Sequence, residues 1–157
     1  MRDHMRIPAA HAPALAQPHP FALPLLALGV AGFAALWVLA TLALQRGQCA
    51  WLAPLAALDM LVLLRIARWP AGVARAAWAL LATAAVILLA NFGIAAAEMG
   101  RNMGLMPWAS ALKLGPNHAA ILLQLANGPA EWAWYALALA GAAWGGLSGR
   151  RPAPSVR

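Results

Sequence analysis

Residues 21–44 read FALPLLALGVAGFAALWVLATLAL, and this uninterrupted apolar stretch decides the predicted fold. A helix rises about 1.5 Å per residue, so about 20 residues span a hydrocarbon core about 30 Å thick. Residues 76–97 form a second stretch of sufficient length, whereas residues 51–64 and 132–147 are shorter and need flanking residues. The chain therefore predicts an all-α integral membrane protein, a bundle of four helices.

The composition is typical of a membrane bundle and not of a soluble domain. Of the 157 residues, 64% are hydrophobic and 10% are charged, whereas a soluble domain carries about 25% charged residues. No segment outside the apolar stretches is long enough to form an independent core. One transmembrane domain is predicted over residues 21–148, with helices at about 21–44, 50–68, 75–98 and 131–148.

Three segments lie outside the predicted helices. Residues 1–20 contain four prolines, which prevent helix formation and predict a disordered tail. Residues 149–157 predict a basic tail. Residues 99–130 are mostly apolar but interrupted by proline, and they predict an outer segment with a short helix at 117–126, interfacial or partly re-entrant. Asn117 can cap this helix, and a Gly–Pro pair at 128–129 can end it.

The basic residues are distributed unevenly about the predicted helices. Eight lie on one side of a four-helix topology and three on the other. The eight are Arg2, Arg6, Arg65, Arg68, Arg75, Arg150, Arg151 and Arg157, and the three are Arg46, Arg101 and Lys113. Because positive residues in short loops stay on the cytoplasmic side, both termini are predicted in the cytoplasm of a bacterial-type inner membrane. The net charge of +7 is thus a topology signal, and nucleic acid is not a predicted partner.

Asp59 and Asn91 form the sharpest polar feature within the apolar stretches. Asp59 lies eight residues after Trp51, or about 12 Å deep, and Asn91 lies seven residues before Glu98, or about 10 Å deep. A charged side chain at the bilayer centre costs about 2.5–3.5 kcal/mol on insertion scales. Because the second and third helices are antiparallel neighbours, an Asp59–Asn91 hydrogen bond is predicted. The interpretation adopted is a structural clasp, with an ion or proton pathway as one alternative and unrelated surroundings for the two residues as the other.

A second polar group gathers on the predicted outer side, at Glu98, Arg101, His118 and Glu131. Glu98 and Arg101 form an i,i+3 pair if the third helix continues that far. His118 with either glutamate would make an acid/base couple. No nucleophile motif accompanies these residues, so solvated interfacial charges are the simpler interpretation.

Met99, Met103 and Met106 are spaced four and three residues apart, which places them on one face of a helix. Thioethers are soft ligands for Cu(I), but methionine is also a flexible apolar side chain that fills cores. The interpretation adopted is packing, with copper as the alternative. No cofactor and no metal are predicted.

Small residues recur every four positions in the fourth helix, at Gly141, Gly145 and Gly149. Such spacing lets two helix backbones approach closely, either within one chain or between chains. Ala27, Ala31 and Ala35 give the first helix a similar face, which could receive the fourth.

Three function classes follow from these features. The first is a non-enzymatic accessory subunit that packs through small-residue helix faces against a membrane protein partner or a second copy of itself. The second is a small transporter, channel or lipid-handling protein that uses Asp59 and Asn91. The third is an outer-face membrane enzyme that uses Glu98, His118 and Glu131.

Overall fold

The computed structural model describes residues 21–45, 47–104, 106, 109, 121 and 123–148, and every regular element in them is helical. The predicted all-α class is confirmed. The described elements are α1 at Ala22–Leu44, a 3-10 turn at Ala50–Leu52, α2 at Ala53–Ile66, α3 at Val73–Met103 and α4 at Pro129–Leu147. The predicted tails at 1–20 and 149–157 lie outside the described residues.

Local sequence explains where several of these helices begin and end. Pro54 and Pro129 occupy the first turns of α2 and α4, where the missing proline N–H has no helical partner to lose. The α1 helix ends at Gln45, which adopts a left-handed conformation and donates its N–H to the Thr41 carbonyl at 3.0 Å. Gly104, also left-handed with φ of 66°, ends α3.

The α3 helix is longer than the sequence predicted. It continues five residues beyond the predicted end at Glu98, because Gly104 is the first residue there that leaves the helical conformation. In the predicted outer segment, residues 121 and 123–126 are helical, whereas residues 117–120 lie outside the described part of the chain.

The α3 helix is the centre of the fold, because it packs against each of the other three helices. Helices α1 and α4 lie on opposite sides of the bundle. Their side chains meet in its interior at Trp37 and Tyr135, whose ring centroids are 6.3 Å apart. Trp37 is completely buried. Most other core residues are alanines, so the helices pack closely. The two ends of the bundle are called the Gln48 end and the Arg75 end, after a residue at each.

Two of the helices, α1 and α3, are long and apolar enough to cross a membrane. Large apolar side chains also cover the outside of the bundle. Examples are Leu28, which is 71% exposed, and Leu39, which is 67% exposed. The exterior of the bundle therefore carries many large apolar side chains.

Arg75 fastens α3 to the end of α4. Its side chain is 6% exposed. The guanidinium Nε donates to the Gly146 carbonyl at 3.0 Å, and NH2 donates to the carbonyls of Gly145 at 2.9 Å and Ser148 at 2.7 Å. These carbonyls have no partner within α4 because the helix ends there, and the end carries a partial negative charge. One cation thus caps the C-terminus of α4.

The close approach of the two helices at the Arg75 end depends on Gly146. A Cβ atom on Gly146 would overlap the backbone of Ala76 in α3. The Gly146 carbonyl also accepts the Gly72 N–H at 3.2 Å, just before α3 begins. The start of α3 and the end of α4 therefore form a single interlocked unit.

We expect Arg75→Met to lower the free energy of unfolding by about 2–4 kcal/mol, because three carbonyls at the end of α4, of which that of Gly146 belongs to a buried residue, lose a charged donor. Thermal unfolding of the purified protein measures this effect. Arg65→Met is the matched control, because Arg65 is exposed at the same end, and it should change stability by less than about 0.5 kcal/mol. Equal unfolding temperatures for the two variants would contradict the cap.

Candidate functional site

A buried ring of hydrogen bonds joins three side chains toward the Gln48 end. Asn91 lies in α3, Tyr135 lies in α4, and Asn127 lies just before α4. Their side chains are at most 5% exposed. We call this ring the Asn–Tyr–Asn triad.

The triad forms a closed cycle of donors and acceptors. The Tyr135 hydroxyl donates to Asn127 Oδ1 at 2.7 Å, Asn127 Nδ2 donates to Asn91 Oδ1 at 3.0 Å, and Asn91 Nδ2 donates to the Tyr135 hydroxyl at 3.1 Å. The second amide hydrogens go to the carbonyls of Ile87 and Leu123, both at 2.8 Å. Every polar hydrogen of the triad therefore has a partner, which is the condition for a buried polar network to stabilise a fold.

The predicted Asp59–Asn91 hydrogen bond is not among the bonds that Asn91 makes. The amide of Asn91 is turned toward α4, where Tyr135 and Asn127 use its bonding capacity. Asp59 lies on the flank of α2, partly exposed, and forms no hydrogen bond or ion pair with other described residues. Two side chains on neighbouring helices must lie at similar depth to bond, but they must also face each other. The rotation of α3 about its axis turns Asn91 toward α4, whereas Asp59 lies on the flank of α2.

A cleft opens beside the triad, and we call it the Gln48 cleft. It consists of two adjoining cavities of about 320 and 360 Å³, which share four residues of their lining. This volume is in the range of small-molecule sites. The shared residues are Gln48, Ile94, Glu98 and Ala126; Asn91 and Met99 line the first cavity, and Thr41 and Arg101 line the second.

Two polar atoms of the cleft lack a hydrogen-bond partner. They are Thr41 Oγ1 and Gln48 Oε1, both buried. The backbone of Gln48 is held in place, because its carbonyl accepts the Trp37 Nε1–H at 2.9 Å. A buried polar atom without a partner costs about 1–3 kcal/mol, so each of these two atoms would be stabilised by a hydrogen-bond partner.

The structure separates the predicted outer polar cluster. Glu98 and Arg101 form the predicted i,i+3 ion pair, with 3.6 Å between Oε1 and NH1, because α3 continues through both residues. Glu131 instead accepts the Gly128 N–H at 2.9 Å and caps the start of α4. It lines a different cavity from Glu98. His118 lies outside the described residues, and so does the acid/base couple predicted for it.

The three methionines are also separated. Met99 and Met103 both line the first cavity of the Gln48 cleft, whereas Met106 comes after the end of α3 at Gly104. The predicted common helical face therefore covers only the first two. Among the described residues, no group of three or more His, Cys, Asp or Glu side chains is placed to hold a metal ion.

The glycines of α4 have different surroundings. Gly145 packs against Leu61 of α2, where an added Cβ would overlap the leucine side chain. Gly141 is exposed, with open space where a Cβ would lie, and Gly149 is outside the described residues. The alanine face of α1 does not receive α4, because these helices are on opposite sides and Ala27, Ala31 and Ala35 are exposed.

Sequence reasoning missed Tyr135, Asn127 and Arg75. A usable signal existed for Tyr135, the only tyrosine of the chain, since a buried tyrosine hydroxyl needs a partner. Asn127 lies four residues after Leu123, whose carbonyl its side chain bonds. Arg75 resembles its exposed neighbours in the sequence, and only the tertiary contact distinguishes it.

No protein-family model, curated protein or solved structure matches this chain. The function must therefore be argued from the placement of its side chains.

We expect Tyr135→Phe to destabilise the protein by about 1–3 kcal/mol. The change keeps the ring but leaves the Asn127 oxygen and one Asn91 hydrogen without partners. Thermal unfolding measures the loss. A double-mutant cycle with Asn127→Ala should show coupling, because both residues belong to one ring. Additive effects of the two substitutions would contradict the closed ring.

Proposed function

We propose that this chain is a multi-pass inner-membrane protein with four spanning helices and cytoplasmic termini. We propose that it acts without catalysis, as an accessory subunit whose α4 helix packs against another membrane protein. Its immediate surroundings are the lipid bilayer. The observation that carries the partner proposal is the open surface at Gly141.

The placement of apolar and charged side chains supports the membrane assignment. Each helix exposes large apolar side chains, which a hydrocarbon solvent accommodates and water does not. One such residue from each helix, more than half exposed, is Leu28, Leu58, Leu81 and Leu137. The exposed charges among the described residues lie at the two ends of the bundle, with Arg65 and Arg68 at one end and Glu98 and Arg101 at the other.

The surface around Gly141 supports the partner proposal. Gly141 and two alanines, Ala57 and Ala138, line a cavity of about 230 Å³ between α2 and α4. Three leucines and Pro54 line the rest of it, and this described lining contains no charged residue. The proposed occupant is an apolar transmembrane helix of another protein, because small residues at this position allow a second backbone to approach.

A topology reporter tests the membrane assignment. We expect alkaline phosphatase fused after Arg157 to be inactive, because that terminus is proposed to be cytoplasmic. The control is the same enzyme fused after Gly47, just beyond α1, which should be active. Activity at Arg157 would contradict the proposed orientation, and inactivity at both positions would contradict a span at α1.

Native mass measurement of the full chain, purified in mild detergent, tests the partner proposal. We expect a stoichiometric second protein with the wild type and a loss of at least tenfold with Gly141→Leu, because the leucine fills the space that the partner helix needs. Gly32→Leu is the matched control, because Gly32 is equally open but lies on α1, on the opposite side.

Three outcomes would contradict the accessory role. The first is a single chain in every sample. The second is a complex lost with Gly32→Leu and kept with Gly141→Leu. The third is a homodimer sensitive to Gly141→Leu, which would show that this face binds a second copy instead.

A further inference from the structure

The Gln48 cleft has two features that point to a ligand. Thr41 is 5% exposed, and its hydroxyl has no partner although it lines the second cavity. Gln48 Oε1, in the same cavity wall, is also unpartnered. One atom is an acceptor and the other can accept or donate. A group carrying hydroxyls could bond both.

The charges of the cleft indicate a neutral ligand. Glu98 and Arg101 contribute one negative and one positive charge to the second cavity, and they pair with each other. The other polar side chains of its described lining, Thr41, Gln45 and Gln48, are neutral. An anionic or cationic head group would therefore lose hydration without gaining an opposite net charge.

The first cavity provides the apolar part of the site. Its apolar lining extends from the shared residue Ile94 to Met99, Met103 and Leu123. Methionine side chains adapt readily to the shape of an apolar chain. Asn91, in the same wall, offers no free hydrogen for a head group, because its amide donates to the Ile87 carbonyl and to the Tyr135 hydroxyl.

We propose that the Gln48 cleft binds a neutral amphiphile with a hydroxylated head group, of the monoacylglycerol class. The head group hydroxyls bond Thr41 and Gln48 in the second cavity, and the acyl chain lies along Met99 and Met103 in the first. This binding site is separate from the Gly141 surface and does not depend on the accessory role.

The test uses the full chain in phosphatidylcholine nanodiscs, because a sugar-based detergent would itself offer a hydroxylated head group. The probe is 1-octanoylglycerol carrying a photoreactive diazirine in its acyl chain. The control probe is the methyl ester of the same acid, which has no hydroxyl. Labelled peptides are identified by mass spectrometry, and the half-saturating concentration is measured for each variant.

Thr41→Val is the decisive variant. It removes a hydroxyl that has no partner within the protein, so it should leave the unfolding temperature equal or higher. It should raise the half-saturating concentration at least about fivefold, the usual effect of one lost hydrogen bond. Gln48→Met should have a similar effect on binding. Thr83→Val is the matched control, because the Thr83 hydroxyl is also buried and unpartnered but Thr83 lies in the middle of α3, outside the cleft lining.

Saturable labelling near Met99, weakened by Thr41→Val and unchanged by Thr83→Val, would support the site. Equal labelling by the methyl ester would overturn the proposed head group. Equal half-saturation for the two threonine variants would overturn the role of Thr41. Failure of the glycerol probe to label the wild type would overturn the site. The variant Gly141→Leu should bind the probe normally, which distinguishes this result from the partner proposal.

Discussion

The closed ring of hydrogen bonds among Asn91, Tyr135 and Asn127 joins α3, α4 and the residues just before α4 toward the Gln48 end. Asn127 is held against α3 by the hydrogen bond that it donates to Asn91. It is held against α4 by the hydrogen bond that it accepts from Tyr135. The segment ending at Asn127 supplies Leu123 and Ala126 to the wall of the cleft. The cleft therefore exists because a fully bonded polar network anchors one of its walls, while other polar atoms in its lining remain unpaired.

The two ends of the α3–α4 pair use different chemistry for the same purpose. At one end the neutral side chains of the triad hydrogen-bond to one another. At the other end the buried guanidinium of Arg75 caps the last carbonyls of α4. Between them the contact consists of small and apolar side chains, such as Ala79, Ala138 and Ala142. In the proposed membrane, apolar packing alone would give these helices little positional selectivity. The polar contacts at the ends set the register of the pair.

The sequence predicts the helical class and the Glu98–Arg101 pair, because these depend on composition and on spacing within one helix. It does not predict the partners of Asn91. Depth along a helix follows from counting residues, whereas the direction of a side chain depends on how each helix is rotated and on which neighbour it meets. Arg75 shows the same limit, because its cap involves residues about 70 positions away. The unpaired atoms of Thr41 and Gln48 are visible only once the loop before α2 is placed.

The fastening of α3 to α4 at both ends has a consequence for the chain between them. Contacts between α3 and α4 fix these two helices relative to each other. The connection after Gly104 is therefore a loop whose two ends are already fixed. The entropy cost of closing such a loop grows only with the logarithm of its length. The protein can therefore gain or lose residues between Gly104 and residue 121 at small cost to its stability, so this part of the chain can vary in length while the triad and the cleft wall at Leu123 and Ala126 stay the same.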